Sequence, residues 1–593
     1  MPLLIYGAEL KDENEEISID NFASLIDKNS WEEFMPHGVT KEIFNRFRKY
    51  YDPEIFIASA KRIRQQAKAA DELGVTERII RIAEIFSTFR NPDKETVLTP
   101  WRVVNMHMNE CFGGYDFFDE QHNDTLDEPR FADRGQVTYQ VFADPNTRIL
   151  ELNSKSGLYP LYMAYSVYRA KLEDHIMWQD TMTQEEMRNL WDKVIDENIF
   201  VVCKTPMAVS ITKRTLVGYR DKPVNAKYFN DLIELIKVTP NQFCSIVSKG
   251  FTFWHSNDDN NMKFNAIVGN PPYQVMDGGA QASATPIYNL FVNASKLLKA
   301  QYISMIMPAR WYAGGRGLDD FREEMLNDIH IRRLDDFVNP EIIFPNTNIR
   351  GGICFFLRDL SYDNTQENVR IVTHGRTDII SDTMRPFKID GVDTFIRDDK
   401  AILILEKVRE KTSSFIESIV SPLRPFGFRG YFVNDANYHQ NPDVLTNPIA
   451  CIGKGKQVGY VERELIPVHK EWIDEWKVVM ARANNIGTEL NDDNLNAFVC
   501  PPQTICTESY LIIGGGCSYS KQQCQNICSY LKTKFARYMH KIAKSSQDAT
   551  AKTFRFVPLQ DFNKPWTDSE LYLKYGLTLD EIAFIESMIK PME

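Results

Sequence analysis

The chain has 593 residues, enough for about three or four domains that each bury a core. At 43% hydrophobic and 25% charged it has the balance of a folded globular protein, which argues against disorder, and it holds no long apolar span. A net charge of −12 excludes a surface coated in basic residues but leaves room for a local basic groove, and ten cysteines without a CxxC pair read as buried thiols of a reducing cytoplasm, with no zinc module.

Residues 1–45 are acidic and open on Pro2-Leu3-Leu4-Ile5-Tyr6, a strand-like run with no lead-in, as if from inside a longer protein. From Asp52 the pattern turns helical. Asp52-Pro53 supplies an N-cap and a first-position proline, and Ile55, Ala58, Ile63 and Ala67 share one face. A second helix carries Ile79, Ile82, Ala83 and Phe86, so residues 1–90 form an acidic, helical N-terminal region. Thr99-Pro100-Trp101 repeats the helix-start pattern, with Thr99 as N-cap, and leads into Val103, Val104, Met106 and Met108. Thr147–Leu152, which contains Glu151, is a strand. It ends in the tight turn Asn153-Ser154-Lys155-Ser156-Gly157, and a helix with Leu161, Ala164 and Val167 follows. Strand, turn and helix in that order open a nucleotide-binding α/β sheet.

Ile199–Cys203 is a further strand. After it come Lys204, Lys213, Arg214, Arg220, Lys222 and Lys227, opposed by Asp221, which form either a solvated face or a phosphate-contacting loop. Phe264–Gly269 is too short for a helix and is bounded by turn signals, so it reads as a buried strand. It runs straight into Asn270-Pro271-Pro272-Tyr273. A residue before proline is held extended, and two prolines fix φ and donate nothing, which leaves their carbonyls as acceptors. The Asn270 amide oxygen and a proline carbonyl suit the two hydrogens of an exocyclic amine, and Tyr273 offers a face for a flat ring. A base turned out of a nucleic-acid helix fits that set.

Past the tetrapeptide, Thr285-Pro286 starts a helix, Tyr302–Pro308 is a strand, and further strands follow at Ile331–Phe337 and Gly351–Leu357. Between the last two, Pro345–Arg350 with Asn346 and Asn348 is a polar loop near the cleft. The alternation over about 95–360 predicts one doubly wound sheet. After about 385, aromatic and glycine punctuation grows denser, as in Phe426-Gly427-Phe428-Arg429-Gly430. Gly453-Lys454-Gly455-Lys456 is either a basic turn on phosphate or an exposed hairpin turn. Residues 532–556 set seven basic residues, Lys541 and Lys544 among them, against Asp548 alone, with Phe535, Tyr538, Phe554 and Phe556 interleaved. That pattern predicts a surface tracking a nucleic-acid backbone, with a solvated helix face as the competing account.

Asn-Pro-Pro-Tyr after an apolar strand resembles the catalytic motif of DNA adenine-N6 methyltransferases. The order of Thr99-Pro100, the Glu151 turn, the tetrapeptide and a separate C-terminal domain is similar to that of their gamma, TaqI-like class, in its large type IIG and type ISP restriction-modification forms. The resemblance implies a Rossmann-like methyltransferase sheet over 91–375 and an α+β target-recognition domain with a helical C-terminal cap over 376–593. It implies S-adenosylmethionine as cofactor, held by Thr99, Pro100, Glu151, Asn153, Ser156 and Gly157. It further implies Asn270, Pro271, Pro272 and Tyr273 as the catalytic set acting on a flipped adenine, with double-stranded DNA held through Arg429, Lys454, Lys456, Lys541 and Lys544. Such methylases are often fused behind a helicase or nuclease, which makes one a possible partner. No Walker loop is present in this sequence. Two departures stand out: Lys155 and Ser156 occupy places where the family has smaller residues or glycine, and Asn265 stands where it usually has Asp. The irregular turn keeps open a second reading, a catalytically weakened recognition module, and methylation of a protein glutamine is a third.

Overall fold

The short apolar runs pair into one nine-stranded sheet among the described residues. Its strands are β1 (Ile149–Ser154), β2 (Ile199–Cys203), β3 (Asn225–Tyr228), β4 (Ala266–Gly269), β5 (Tyr302–Pro308), β6 (Ile331–Phe337), β7 (Ile353–Asp359), β8 (Val369–His374) and β9 (Ile379–Arg385). They lie in the order β3-β2-β1-β4-β5-β7-β6-β8-β9. The first five are parallel, and β7 runs antiparallel between β5 and β6. This is the Rossmann-like order with one reversed strand inserted, as the sequence predicts. The computed structural model describes residues 1–10, 15–89, 98–178, 182–254, 261–276, 284–315, 317–345, 347, 349, 351–376, 378–486, 492–544 and 548–592. None of its helices is long and apolar enough to cross a membrane.

Helices α1 (Pro2–Gly7), α2 (Pro53–Ala70), α3 (Val75–Ser87) and α4 (Trp101–Phe112) precede the sheet. Then α5 (Leu158–Trp178) leads from β1 to β2, α6 (Pro206–Val217) from β2 to β3, and α7 (Tyr288–Leu297) from the β4 side into β5. The chain leaves β1 toward β2 and leaves β4 toward β5, in opposite directions, although β1 and β4 are paired neighbours. Such a switch point opens a crevice beyond the carboxyl ends of the strands, where α/β proteins bind ligands. The turn after β1 and the tetrapeptide after β4 both start at that crevice.

The N-terminal run is helical, not a strand. Pro2 sits at the first helical position, and Leu3, Leu4, Ile5 and Tyr6 are all buried. A run buried on every side carries no period, so four apolar residues do not tell a helical turn from a strand. The proline before α7 is likewise in a short strand, Ala284–Pro286, and α7 starts at Tyr288 without a side-chain cap. The helical N-terminal region packs on α6 through polar locks. Ser210 donates to the Gly7 carbonyl at 2.6 Å, and Arg214 to that of Tyr6. Arg78 of α3, buried beside Asp71 (3.0 Å), donates to the carbonyls of Arg214, Thr215 and Leu216 at 2.8–3.2 Å. One guanidinium thus satisfies the last turn of α6, whose carbonyls have no partner within the helix.

By packing, the chain divides into residues 1–309 with 315–389 and residues 310–314 with 390–593. The first unit therefore takes in the helical N-terminal region and extends past the expected 375 boundary, because β9 completes the sheet. The second unit is α+β. Strands β10 (Pro448–Ile452), β11 (Val458–Glu462), β12 (Lys477–Ala481), β13 (Ala497–Cys500), β14 (Thr504–Cys506) and β15 (Tyr510–Ile513) form two three-stranded sheets, β11-β10-β14 and β13-β12-β15. Helices follow, among them α8 (Lys534–Ile542).

Arg78→Met is expected to destabilise the first unit by about 3–5 kcal/mol in urea denaturation, because it leaves the Asp71 carboxylate and three helix-end carbonyls buried without their donor. A loss below about 1 kcal/mol would mean that water replaces the guanidinium there.

Candidate active site

β1 delivers Glu151 and Asn153 to the crevice. Glu151 is 5% exposed, its Oε2 has no hydrogen-bond partner, and burial pushes its pKa up to about 8. Asn153 adopts the left-handed backbone region (φ +67°), which Asn tolerates, and both polar atoms of its buried amide are unpartnered. Buried polar groups are normally paired, so three such atoms on neighbouring residues mark a place prepared for a ligand. The turn itself is well secured. Gly157 N donates to Ser154 Oγ at 3.2 Å, Ser154 Oγ lies 3.2 Å from Thr212 Oγ1, and Thr215 Oγ1 donates to the Ser156 carbonyl at 2.7 Å. Gly157 has φ +75°, and a Cβ there would stand 3.0 Å from the Thr212 backbone. Two threonines on α6, three residues apart, thus staple the turn. Their spacing was visible in the sequence, but nothing there pointed it at the turn.

β4 delivers the tetrapeptide. Gly269 lies so close to β1 that a Cβ would fall 2.7 Å from the Leu152 carbonyl oxygen. Asn270 follows, and its Nδ2 donates to Thr99 Oγ1 at 2.9 Å while its Oδ1 is buried without a partner. Pro271 is buried and Pro272 half-buried. The Tyr273 ring, half-buried, meets Phe344 edge-on at 6.4 Å, its carbonyl accepts from Ile287 N, and burial holds its unpartnered hydroxyl well above the usual phenol pKa. Asn265 is at the other end of β4, where its side chain accepts from Arg148 N at 3.0 Å and ties strand to strand.

The expected cap role of Thr99 is corrected. α4 begins at Trp101 with Pro100 in the N-cap position and no side-chain cap, and the Thr99 hydroxyl is turned to Asn270 instead. Val103, Val104, Met106 and Met108 are all buried in the core. Sequence reasoning missed His107, Tyr159 and Ser304, which lie buried behind Thr99: His107 Nδ1 is 2.9 Å from the Tyr159 hydroxyl and its Nε2 is 2.7 Å from Ser304 Oγ. Asn346 and Asn348 fall outside the described residues.

Residues 197–344, which contain the tetrapeptide, match the family described as Eco57I restriction-modification methylase. This stretch is a methylase domain. A curated protein of Mycoplasma pneumoniae (strain ATCC 29342 / M129 / Subtype 1), described as an uncharacterized adenine-specific methylase, is 25% identical over 199 residues, 33% of this chain and 46% of its own. The chain therefore spans under half the length of that relative. Among solved structures, a nuclease-deletion mutant of the type ISP restriction-modification enzyme LlaGI with a DNA substrate mimic aligns at 11% identity and TM-score 0.43, covering 86% of this chain and 57% of that one. The type IIL restriction-modification enzyme MmeI in complex with DNA aligns at 9% identity and TM-score 0.41, over 75% and 71%. The match begins just before β2, so the methylase domain holds Asn270 to Tyr273, Thr212 and Thr215, while Glu151, Asn153 and Thr99 come from the chain before it.

Of the basic residues singled out, Arg429 is exposed, and Lys454 and Lys456 are exposed on the turn between β10 and β11, with the Lys456 ammonium 5.5 Å over the Phe498 ring. Arg220 and Lys222, at the end of the earlier basic stretch, both pair with Asp192, at 2.8 and 3.2 Å. The expectation for Lys541 and Lys544 is overturned. Lys541 Nζ donates to the Met588 carbonyl at 2.8 Å. Lys544 is 8% exposed and places its ammonium on the Asn484 and Ile486 carbonyls and Asn484 Oδ1, at 2.6–2.9 Å. Burial lowers the pKa of both, that of Lys544 to about 7. Phe535, Tyr538, Phe554 and Phe556 are core residues, so the stretch is neither a backbone track nor a solvated face. Lys544→Met should therefore cost the second unit about 2 kcal/mol through its stranded acceptors. It should leave the salt dependence of any DNA affinity unchanged; a slope reduced by about one would return Lys544 to the phosphate contacts.

Proposed function

We propose that the chain is a site-specific DNA methyltransferase that transfers a methyl group from S-adenosylmethionine to the N6 amine of adenine, as the modification part of a restriction-modification system. The observation that carries this reading is the state of Asn270. Its amide is fixed through Nδ2 while Oδ1 stays buried and unpartnered at the switch point, beside a second set of unpartnered atoms on Glu151 and Asn153. An acceptor held dry and idle is matched to an N–H that arrives only with a substrate.

Asn270 Oδ1 would accept one hydrogen of the amine and the Pro271 carbonyl the other, which draws the nitrogen lone pair out of conjugation with the ring. Tyr273 would bound the base on one face. The target must leave the duplex to reach this crevice, at a cost of a few kcal/mol in unstacking. Holding amine and donor in line then supplies much of the acceleration. S-adenosylmethionine fits the β1 side: the Glu151 carboxylate suits its cationic end, and Gly157 allows close backbone approach. When bound, it supplies the electrophilic methyl group. Lys155 and Ser156 do not weigh against this fit, because the turn closes through the Ser156 carbonyl and the Ser154 hydroxyl. The second unit would read the target sequence in double-stranded DNA, with Arg429, Lys454 and Lys456 on phosphates, and a helicase or nuclease portion, fused or separate, would be its partner in restriction.

Transfer of labelled methyl from S-adenosylmethionine to mixed-sequence DNA, followed by identification of the methylated nucleoside, tests the reading. N6-methyladenine is expected, reduced at least about 100-fold in Asn270→Ala with cofactor affinity retained. Another methylated product, or none, would sink the assignment. Cofactor affinity carries a second signature. A cationic ligand prefers ionised Glu151, so binding should tighten as pH rises toward about 8 and level off above it. Glu151→Gln should flatten that profile, and an equal slope in both proteins would remove Glu151 from the cofactor site.

A further inference from the structure

An asparagine amide is nearly symmetric in shape, and a half-turn about its last bond exchanges Oδ1 and Nδ2. Only one of the two orientations serves the reaction proposed above. With Nδ2 facing the substrate, a donor would meet a donor. Thr99 alone does not decide between them, because a hydroxyl can accept from Nδ2 or donate to Oδ1 equally well. The choice falls to whatever receives the hydroxyl's own hydrogen.

Behind Thr99 stands the Tyr159 phenol, on which the Thr99 hydroxyl acts directly, and behind that stands His107. The phenol can accept from Thr99 if its hydrogen goes to His107 Nδ1, at 2.9 Å. Nδ1 can accept if the ring proton is on Nε2, at 2.7 Å from Ser304 Oγ. Ser304 can take that proton because its own hydrogen has the Cys111 sulfur to go to. Each member thus passes its hydrogen one place further from the substrate, and the order is self-consistent. A protonated imidazole would donate at both nitrogens and break it. Burial holds the His107 pKa down to about 3, so the ring is neutral throughout the working range. His107, Tyr159 and Ser304 are each 2% exposed or less, and His107 is clamped against Phe355 with ring centroids 4.6 Å apart.

We propose that this buried chain, Asn270–Thr99–Tyr159–His107–Ser304, sets the direction in which the Asn270 amide faces, and that Tyr159 and His107 are positioning residues for methyl transfer. The proposal rests on the methyltransferase reading for its kinetic consequence. The orientation of Asn270 is a property of the protein alone.

Tyr159→Phe removes one hydroxyl and keeps the ring. It is expected to lower kcat about 10- to 100-fold with KM for DNA, cofactor affinity and Tm little changed, since the wrong amide orientation costs only the reactive geometry. Thr99→Val should do the same, and Thr99→Ser should recover most of the rate. The Tyr159→Phe, Thr99→Val double variant should be no slower than the worse single, because one break already disorders the chain. Crystal structures of the wild type and Tyr159→Phe provide the readout that needs no activity: the Asn270 side chain should leave Thr99 in the variant. Wild-type kcat in Tyr159→Phe, additive losses in the double variant, or an Asn270 unmoved in the variant crystal would each overturn the proposal while leaving the methyltransferase reading intact. A wild type that transfers no methyl to adenine would sink that reading, and the two crystals would still decide the chain.

Discussion

The crevice depends on how closely two parallel strands approach at the point where the chain reverses its direction of travel. Gly269 packs its backbone onto the Leu152 carbonyl, at a separation that leaves no room for a side chain. The end of β4 is therefore drawn against the end of β1, and the residues next in each chain, Asn270 on one side and Asn153 on the other, share a mouth. Five parallel strands buried on both faces supply the rigidity that keeps this mouth open without a ligand. The fold thus gives Asn270 its address, and Thr99, arriving from a helix start far away in sequence, gives it an attitude.

Much of this was legible. Strand–turn–helix at 147–168, the proline-locked tetrapeptide after an apolar strand and the alternation beyond it predicted a doubly wound sheet with its chemistry at the strand ends, and the sheet has that order. Local signals succeeded where the residue types leave one choice, as at Gly157 and Pro271. They failed where the deciding partner is distant. Thr99 before Pro100 looks like a cap because caps are local, and only the folded chain reveals Asn270 as its partner. Pro2–Tyr6 is buried from all sides and so lacks the alternation or the helical period that would have classed it.

The basic stretch at 532–556 shows a different limit. Counting charges assumes that lysines point outward, yet Lys544 finds three acceptors in the interior, and its four-carbon stem passes through a wall of aromatics to reach them. Sequence shows how many donors a segment has and is silent on where the acceptors are. The same holds for His107 and Ser304, separated by 197 positions and 2.7 Å apart, which no periodicity connects.

The bond between Arg78 and the final turn of α6 bears on how such proteins exchange parts. α6 holds the cofactor-side turn with Thr212 and Thr215 at residues that Arg78 reaches from the other side, through the Thr215 carbonyl itself. The seam between the helical N-terminal region and the sheet is therefore not a place where modules can be cut and rejoined freely. A shuffled protein would inherit a working turn only if both sides of that bond travelled together, so recombination within this architecture is channelled toward the boundary near residue 390.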